Sequence, residues 1–188
     1  MRRWPSAAVV CALAACAGPG PLPPSEPAPE RAGAQSPEPV SPCVNLAYGF
    51  HCAPPPGFMI TQEGAGPGTV LSMMRRSLGG QEGPGLRLRV YPLQGQNLKR
   101  FTEKRVIGSL QKAQGVSGLK SKAAKIGHRE GIEVSLERGY AGGDQSWRIF
   151  CFRHSNEAYL VEYTLPLGRV PPAGDPLAQF IESLSFEE

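Results

Sequence analysis

The sequence predicts an α+β domain, an antiparallel sheet of about six or seven strands covered by helices. Three observations carry that prediction. Segments between Tyr48 and Leu165 alternate apolar and polar residues with a period of two. Two other segments place apolar residues at helical spacing behind residues suited to capping. The last two strand candidates are joined by a short turn, which marks an antiparallel hairpin.

The first strand candidate, Tyr48 to Cys52, leads into the corner Ala53-Pro54-Pro55-Pro56-Gly57-Phe58. Thr69 to Arg75 is the second. Before it, Gly64-Ala65-Gly66-Pro67-Gly68 lacks the Lys-Ser/Thr ending of a phosphate loop and reads as a hairpin connection. In Gly85 to Tyr91 the alternation is clean. Leu86, Leu88 and Val90 share one face, while Arg87, Arg89 and Tyr91 share the other.

A helix is predicted from about Leu98 to Gln114. Asn97 is its N-cap, Gly115 its stop, and Leu98, Phe101, Val106, Leu110 and Ala113 approximate one apolar stripe. Four strands follow: Lys120 to Ile126, Gly131 to Arg138, Trp147 to Arg153 and Ala158 to Leu165. In the second of these, Ile132, Val134 and Leu136 alternate with Glu133, Ser135 and Glu137. The turn His154-Ser155-Asn156-Glu157 closes the hairpin. A last helix begins where Asp175 can cap and Pro176 fits the first turn, with Leu177, Phe180, Ile181 and Leu184 at helical spacing. Phe186 then tucks the end of the chain onto the sheet.

Residues 46 to 188 resemble the PsbP/Mog-like fold, which includes the DcrB-type bacterial lipoproteins. The resemblance lies in the strand running into the proline corner at Phe50 to Phe58 and in the turn Ile126-Gly127-His128-Arg129-Glu130-Gly131. The hairpin Trp147 to Leu165 and the closing Phe180-Ile181-Glu182-Ser183-Leu184-Ser185-Phe186 complete it. Phe58 stands where the family often has tryptophan. The resemblance implies a binding or assembly factor, with no shared catalytic centre from which site residues could be carried over.

The N-terminus reads as an address. Residues 1–15 place Arg2 and Arg3 before the apolar run Ala7 to Ala15, the layout of a signal peptide. The segment ends in Leu13-Ala14-Ala15-Cys16, which resembles the bacterial lipobox. That resemblance implies a diacylglyceryl group on the Cys16 thiol, cleavage before it, and acylation (palmitate or a similar chain) of the new amino group. Two or three chains suffice for stable anchoring. An ordinary secretory signal with a chance cysteine is the alternative. Ala17, in place of the aspartate that retains such proteins in the inner membrane, points to the outer membrane facing the periplasm. No stretch of the chain approaches eighteen apolar residues, so no spanning helix is predicted.

Residues 17–42 contain nine prolines and almost nothing apolar larger than alanine. Such a segment buries too little surface to offset the entropy of ordering it. With Cys16 it forms a lipidated, proline-rich tether over 16–42, and the globular domain occupies 43–188.

Cys43, Cys52 and Cys151 remain for an oxidising compartment. The simplest disulfide joins Cys43 to Cys52, a ring of roughly ten residues worth about 2.7 kcal/mol in the chain-entropy picture. Cys52 with Cys151 is the rival, and a buried inert Cys151 thiol is the alternative to any pairing for that residue.

The sequence offers little reactive chemistry. His51 adjoins Cys52, but neighbours on a strand face opposite ways. His128 falls in a turn and His154 at a hairpin tip. No spacing suits a metal, and Gly115-Val116-Ser117-Gly118 is not a nucleophile elbow. The carboxylates Glu130 and Glu133 read as ordinary surface. No catalytic residue, metal site or cofactor is predicted.

Two charged features remain. Lys99, Arg100, Lys104, Arg105 and Lys112 lie on the first helix, as a solvated face or a contact for anionic lipid headgroups or an acidic partner. Arg87 and Arg89 can pair across the sheet with Glu133 or Glu137, and otherwise form an anion-binding candidate. The formal charge of +4 comes from scattered basic residues, so no nucleic-acid partner is expected. The functional expectation is a membrane-anchored, non-catalytic binding or assembly factor of the bacterial envelope with a protein partner. A small-ligand carrier or a small envelope hydrolase is the alternative.

Overall fold

The computed structural model describes residues 42–64, 68–75, 83–139, 143–168 and 173–187, all within the unit Pro39–Glu188. The segments expected to be the signal peptide and the tether, with Cys16, and most of the Gly64–Gly68 connection lie outside them. Ten strands, three short α-helices and one π-helical segment appear among the described residues. The strands are β1 (Cys43–Asn45), β2 (Phe50–Cys52), β3 (Phe58–Glu63), β4 (Gly68–Arg75) and β5 (Gly85–Pro92), then β6 (Val116–Ile126), β7 (Arg129–Arg138), β8 (Gln145–His154), β9 (Glu157–Pro166) and β10 (Ser185–Phe186).

Seven of them form one antiparallel sheet in the order β3-β4-β5-β9-β8-β7-β6. It consists of two meanders, β3 to β5 and β6 to β9, joined where β5 pairs with β9. The helical connection after β5 carries the chain from the middle of the sheet to its far edge. A second, three-stranded sheet has the order β1-β2-β10.

The central strands of the large sheet are covered on both faces. On one face, Leu86, Leu88 and Val90 of β5 pack with Phe150, Phe152, Tyr159 and Val161. The small sheet and α3 (Pro176–Ser183) cover them through Phe50, Leu177, Phe180 and Ile181. Val70 and Leu71, although consecutive, belong to this same core, because a bulge between Thr69 and Leu71 interrupts the alternation. Asp175 caps α3 by accepting from the amides of Leu177 and Ala178, a contribution of about 1 kcal/mol.

On the other face Val134, Leu136, Ile149, Cys151 and Leu160 meet Phe101 and Val106 from the helical connection. That connection is continuous but not uniform. It runs as α1 (Leu98–Phe101), a π-helical segment (Thr102–Ile107) and α2 (Gly108–Leu110). Phe101 and Val106 are five residues apart, a spacing that an α-helix would place on different faces. The wider π turn, closed by i→i+5 bonds such as the Gly108 amide to the Glu103 carbonyl, brings them to one side. Burying such a side chain contributes roughly 1.5–3 kcal/mol.

The glycine at 131 answers to space. A methyl group there would run into the Cys151 carbonyl and the Phe150 ring, whose Cζ would lie 2.8 Å away. Only a residue without Cβ lets β7 approach β8 at this point.

Candidate functional site

The site grows from the polar face of β5. Its alternation turns Arg87, Arg89 and Tyr91 away from the core beneath α3 and toward the helical connection. Directly across from Arg87 in the β5–β9 register stands Glu162, only 6% exposed. Arg89 Nε lies 3.4 Å from Glu162 Oε1, and Arg87 Nη1 lies 3.9 Å from Oε2. Burial pushes the Glu162 carboxyl above its ordinary range, and the two guanidinium groups pull it partly back. Arg89 Nε is itself shut off from solvent, and its contact with Glu162 is an ion pair without hydrogen-bond geometry.

Glu162 is therefore the partner of the arginine pair, and Glu133 and Glu137 are not. Those two occupy alternate positions of β7 on the face toward α3, the opposite side of the sheet. There Glu133 accepts from Arg148 Nε at 2.9 Å and lies 3.3 Å from Lys122 Nζ. Arg148 also donates from Nη1 to Asp175 Oδ2 at 2.9 Å, which ties the sheet to the cap of α3. Burial alone would lower the Arg148 pKa. Its hydrogen bonds to Asp175 and Glu133 outweigh that and raise it.

Above Glu162 the helical connection leaves a cleft of about 350 Å³. Sheet side chains form its floor, and Phe101, Leu110 and the Arg105 side chain overhang it. Two guanidinium groups lie over aromatic rings in its walls, Arg105 over Tyr91 at 5.3 Å and Arg138 over Trp147 at 5.6 Å. Arg138 Nε is buried with no hydrogen-bond partner among the described residues. A second cleft of about 330 Å³ shares Trp147 and Glu162 with the first and continues over β4 and β5.

The remaining candidates are dispersed. Cys43 and Cys52, opposite each other in the β1–β2 register with Cα atoms 5.0 Å apart, form a disulfide. The rival pairing of Cys52 with Cys151 does not form, because the two residues belong to the cores on opposite faces of the sheet. Cys151 is fully buried, and burial pushes its thiol up to about 12. Beside it, Thr102 is buried with its hydroxyl lacking a well-formed partner among the described residues.

His51 points away from Cys52 and meets Glu187, Nε2 to Oε1 at 2.7 Å. Lys99, Arg100, Lys104, Arg105 and Lys112 are all exposed. Arg105 borders the cleft over β5 and β9, whereas Lys99 borders a different one against β6 and β7. Among the described residues no three His, Cys, Asp or Glu side chains gather closely enough to hold a metal ion, and no helix is long and apolar enough to cross a membrane.

No protein-family model and no curated protein sequence matches the chain. Its likeness is to solved structures. Cyanobacterial PsbP (CyanoP) from Synechocystis sp. PCC 6803 aligns over 78% of this chain and 92% of its own, with 10% identity and a TM-score of 0.53. The fold is PsbP-like. LpqN of Mycobacterium tuberculosis, a protein involved in cell envelope biogenesis, covers 80% of this chain and 87% of its own at 11% identity, with a TM-score of 0.52. The chain spans about half the length, 47%, of a Bacteroides thetaiotaomicron protein at 15% identity and a TM-score of 0.49. At these identities the likeness concerns the fold. The arginine-lined cleft is thus placed on a PsbP-like sheet by this chain's own residues.

Proposed function

We propose that this chain is a bacterial lipoprotein that acts in the cell envelope by binding, as an adaptor or assembly factor, and catalyses no reaction. Acyl groups on Cys16 hold it at the membrane, with the outer membrane facing the periplasm as the expected site. The segment 16–42 sets its reach, and the domain over 43–188 contacts a protein partner. Tethering raises local concentration, so a modest affinity suffices.

The observation that carries this reading is the state of three groups that could otherwise act as acid, base or nucleophile. Glu162 is held between Arg87 and Arg89, Glu133 between Lys122 and Arg148, and the Cys151 thiol is buried and hard to ionise. Groups so engaged hold structure rather than move protons or attack substrates. The involvement of LpqN in envelope biogenesis agrees with it. A carrier of small ligands is the second reading, favoured by the cleft above Glu162.

Two experiments test the proposal. Cys16→Ser should move the protein from the membrane fraction to the soluble periplasmic fraction, and unchanged partitioning would refute the lipid anchor. In-cell crosslinking of the intact lipoprotein should capture one dominant envelope protein, lost when the domain surface is altered. Recovery of nothing specific overturns the adaptor.

A further inference from the structure

The cleft between the helical connection and the sheet holds three arginines, Arg89, Arg105 and Arg138, against one carboxylate, Glu162. That carboxylate is already taken, because Arg87 and Arg89 both lie against it. Arg105 and Arg138 have no acidic partner among the described residues. The Nε atoms of Arg89 and Arg138 are shut away from solvent without a hydrogen bond. A buried donor left unmade is costly, and a guanidinium cannot shed its proton to escape the cost. The site is short of negative charge and of acceptors.

We infer that this cleft binds a small organic anion whose carboxylate or phosphate is carried on a flat apolar body. The guanidinium fork matches the paired oxygens of either group. The flat body follows from the walls, since Arg105 over Tyr91 and Arg138 over Trp147 present planar surfaces. Phe101, Leu110 and Leu160 supply apolar contact. A volume of about 350 Å³ lies at the small end of ligand sites. Buried Glu162 fixes the Arg89 side chain in place from beneath, so the guanidinium is oriented before the ligand arrives.

The inference rests on the reading of the domain as a binding module, and names what one surface of it takes. The test uses the full chain carrying Cys16→Ser, so that no detergent competes for the cleft. Calorimetric titration compares 4-butylbenzoate, 4-butylphenyl phosphate and the neutral 4-butylbenzamide. One of the two anions should bind with 1:1 stoichiometry and about tenfold or more tighter than the amide, and the preferred one identifies the acidic group. Arg138→Gln should weaken that anion about tenfold. Arg105→Gln, on the exposed surface of the helical connection, should weaken it several-fold without changing Tm. Equal binding of anions and amide, an absence of saturable binding, or indifference to both substitutions overturns the inference. Membrane partitioning reads the anchor separately, and a flat titration beside a captured partner defeats the ligand assignment alone.

Discussion

The imidazole of His154 lies flat on the ring of Phe186, their centroids 3.8 Å apart and their planes 16° from parallel. This stack seals the closing strand β10 over the end of the β8–β9 hairpin, where Phe186 also meets Phe152 and Tyr159 edge-on. Burial, helped by the Arg129 guanidinium and opposed by Glu157, lowers the His154 pKa. The unfolded chain therefore takes up the proton first as pH falls. Stability should drop as pH decreases from the ordinary histidine value of 6.5 toward the lower folded value. In His154→Phe, which keeps the stack, this slope should flatten in denaturant titrations run at a series of pH values. An undiminished slope would assign the effect elsewhere.

Glu162 predicts the opposite trend. Its carboxyl titrates higher in the folded protein than the ordinary 4.5, so the folded state keeps its proton longer than the unfolded chain. Its contribution to stability is full below 4.5 and falls as pH rises through the folded value. Glu162→Gln keeps the shape and removes the titration. The stability difference between wild type and variant should move in the variant's favour with rising pH across that window. Movement the other way would mean that pairing with Arg89 and Arg87 outweighs burial.

Gly131→Ala should cost about 2 kcal/mol or more, because neither the Cys151 carbonyl nor the packed Phe150 ring can give way. Ser135→Ala in the same strand should change stability by no more than about 0.5 kcal/mol. Urea unfolding of the two variants separates a packing limit from a general sensitivity of β7.

Arg129 donates from Nη2 to the Leu184 carbonyl at 2.6 Å and lies over the rings of Phe152 and Phe186 at 5.0 and 4.8 Å. Arg129→Gln should lose about 2 kcal/mol, since it leaves that carbonyl underserved and removes the cation from both rings. Faster amide exchange confined to β10 and the end of α3 would mark the loss as local. Unaltered exchange there would contradict the role.

Much of this fold was legible in the sequence. Period-two alternation located β5 and β7 because each has faces of different chemistry, and the Asp175-Pro176 pair located the start of α3. What escaped has physical reasons. In the sequence β3 shows only as the end of a proline corner, since as an edge strand it is mostly exposed and shows no alternation. β1 is three residues long. The helical connection has the sequence of an ordinary helix but for the five-residue step from Phe101 to Val106, the mark of its π segment.

The site was half legible. Arg87 and Arg89 stood out on the polar face of their strand, and Arg105 as a helix cation. Glu162 did not, because β9 is buried on both faces and its run of inward residues hides the alternation. A lone acid inside the apolar stretch Tyr159 to Leu165 was the available signal, since carboxylates enter such positions when a cation waits there. Arg138 and Trp147 meet only through the β7–β8 pairing, which no local pattern reveals.

The small sheet has a mechanical consequence. β1 opens the domain and β10 closes it, and both are hydrogen-bonded to β2. Any pull transmitted along the chain ahead of Cys43 reaches the covalent link to Cys52 before it can peel β1 away. The load then passes into β2, bypassing a strand that only a few hydrogen bonds would otherwise hold. In a reducing environment the same force would unzip β1 first. While the Cys43–Cys52 link stays oxidised, a pull on the leading end therefore loads β2 and spares β1.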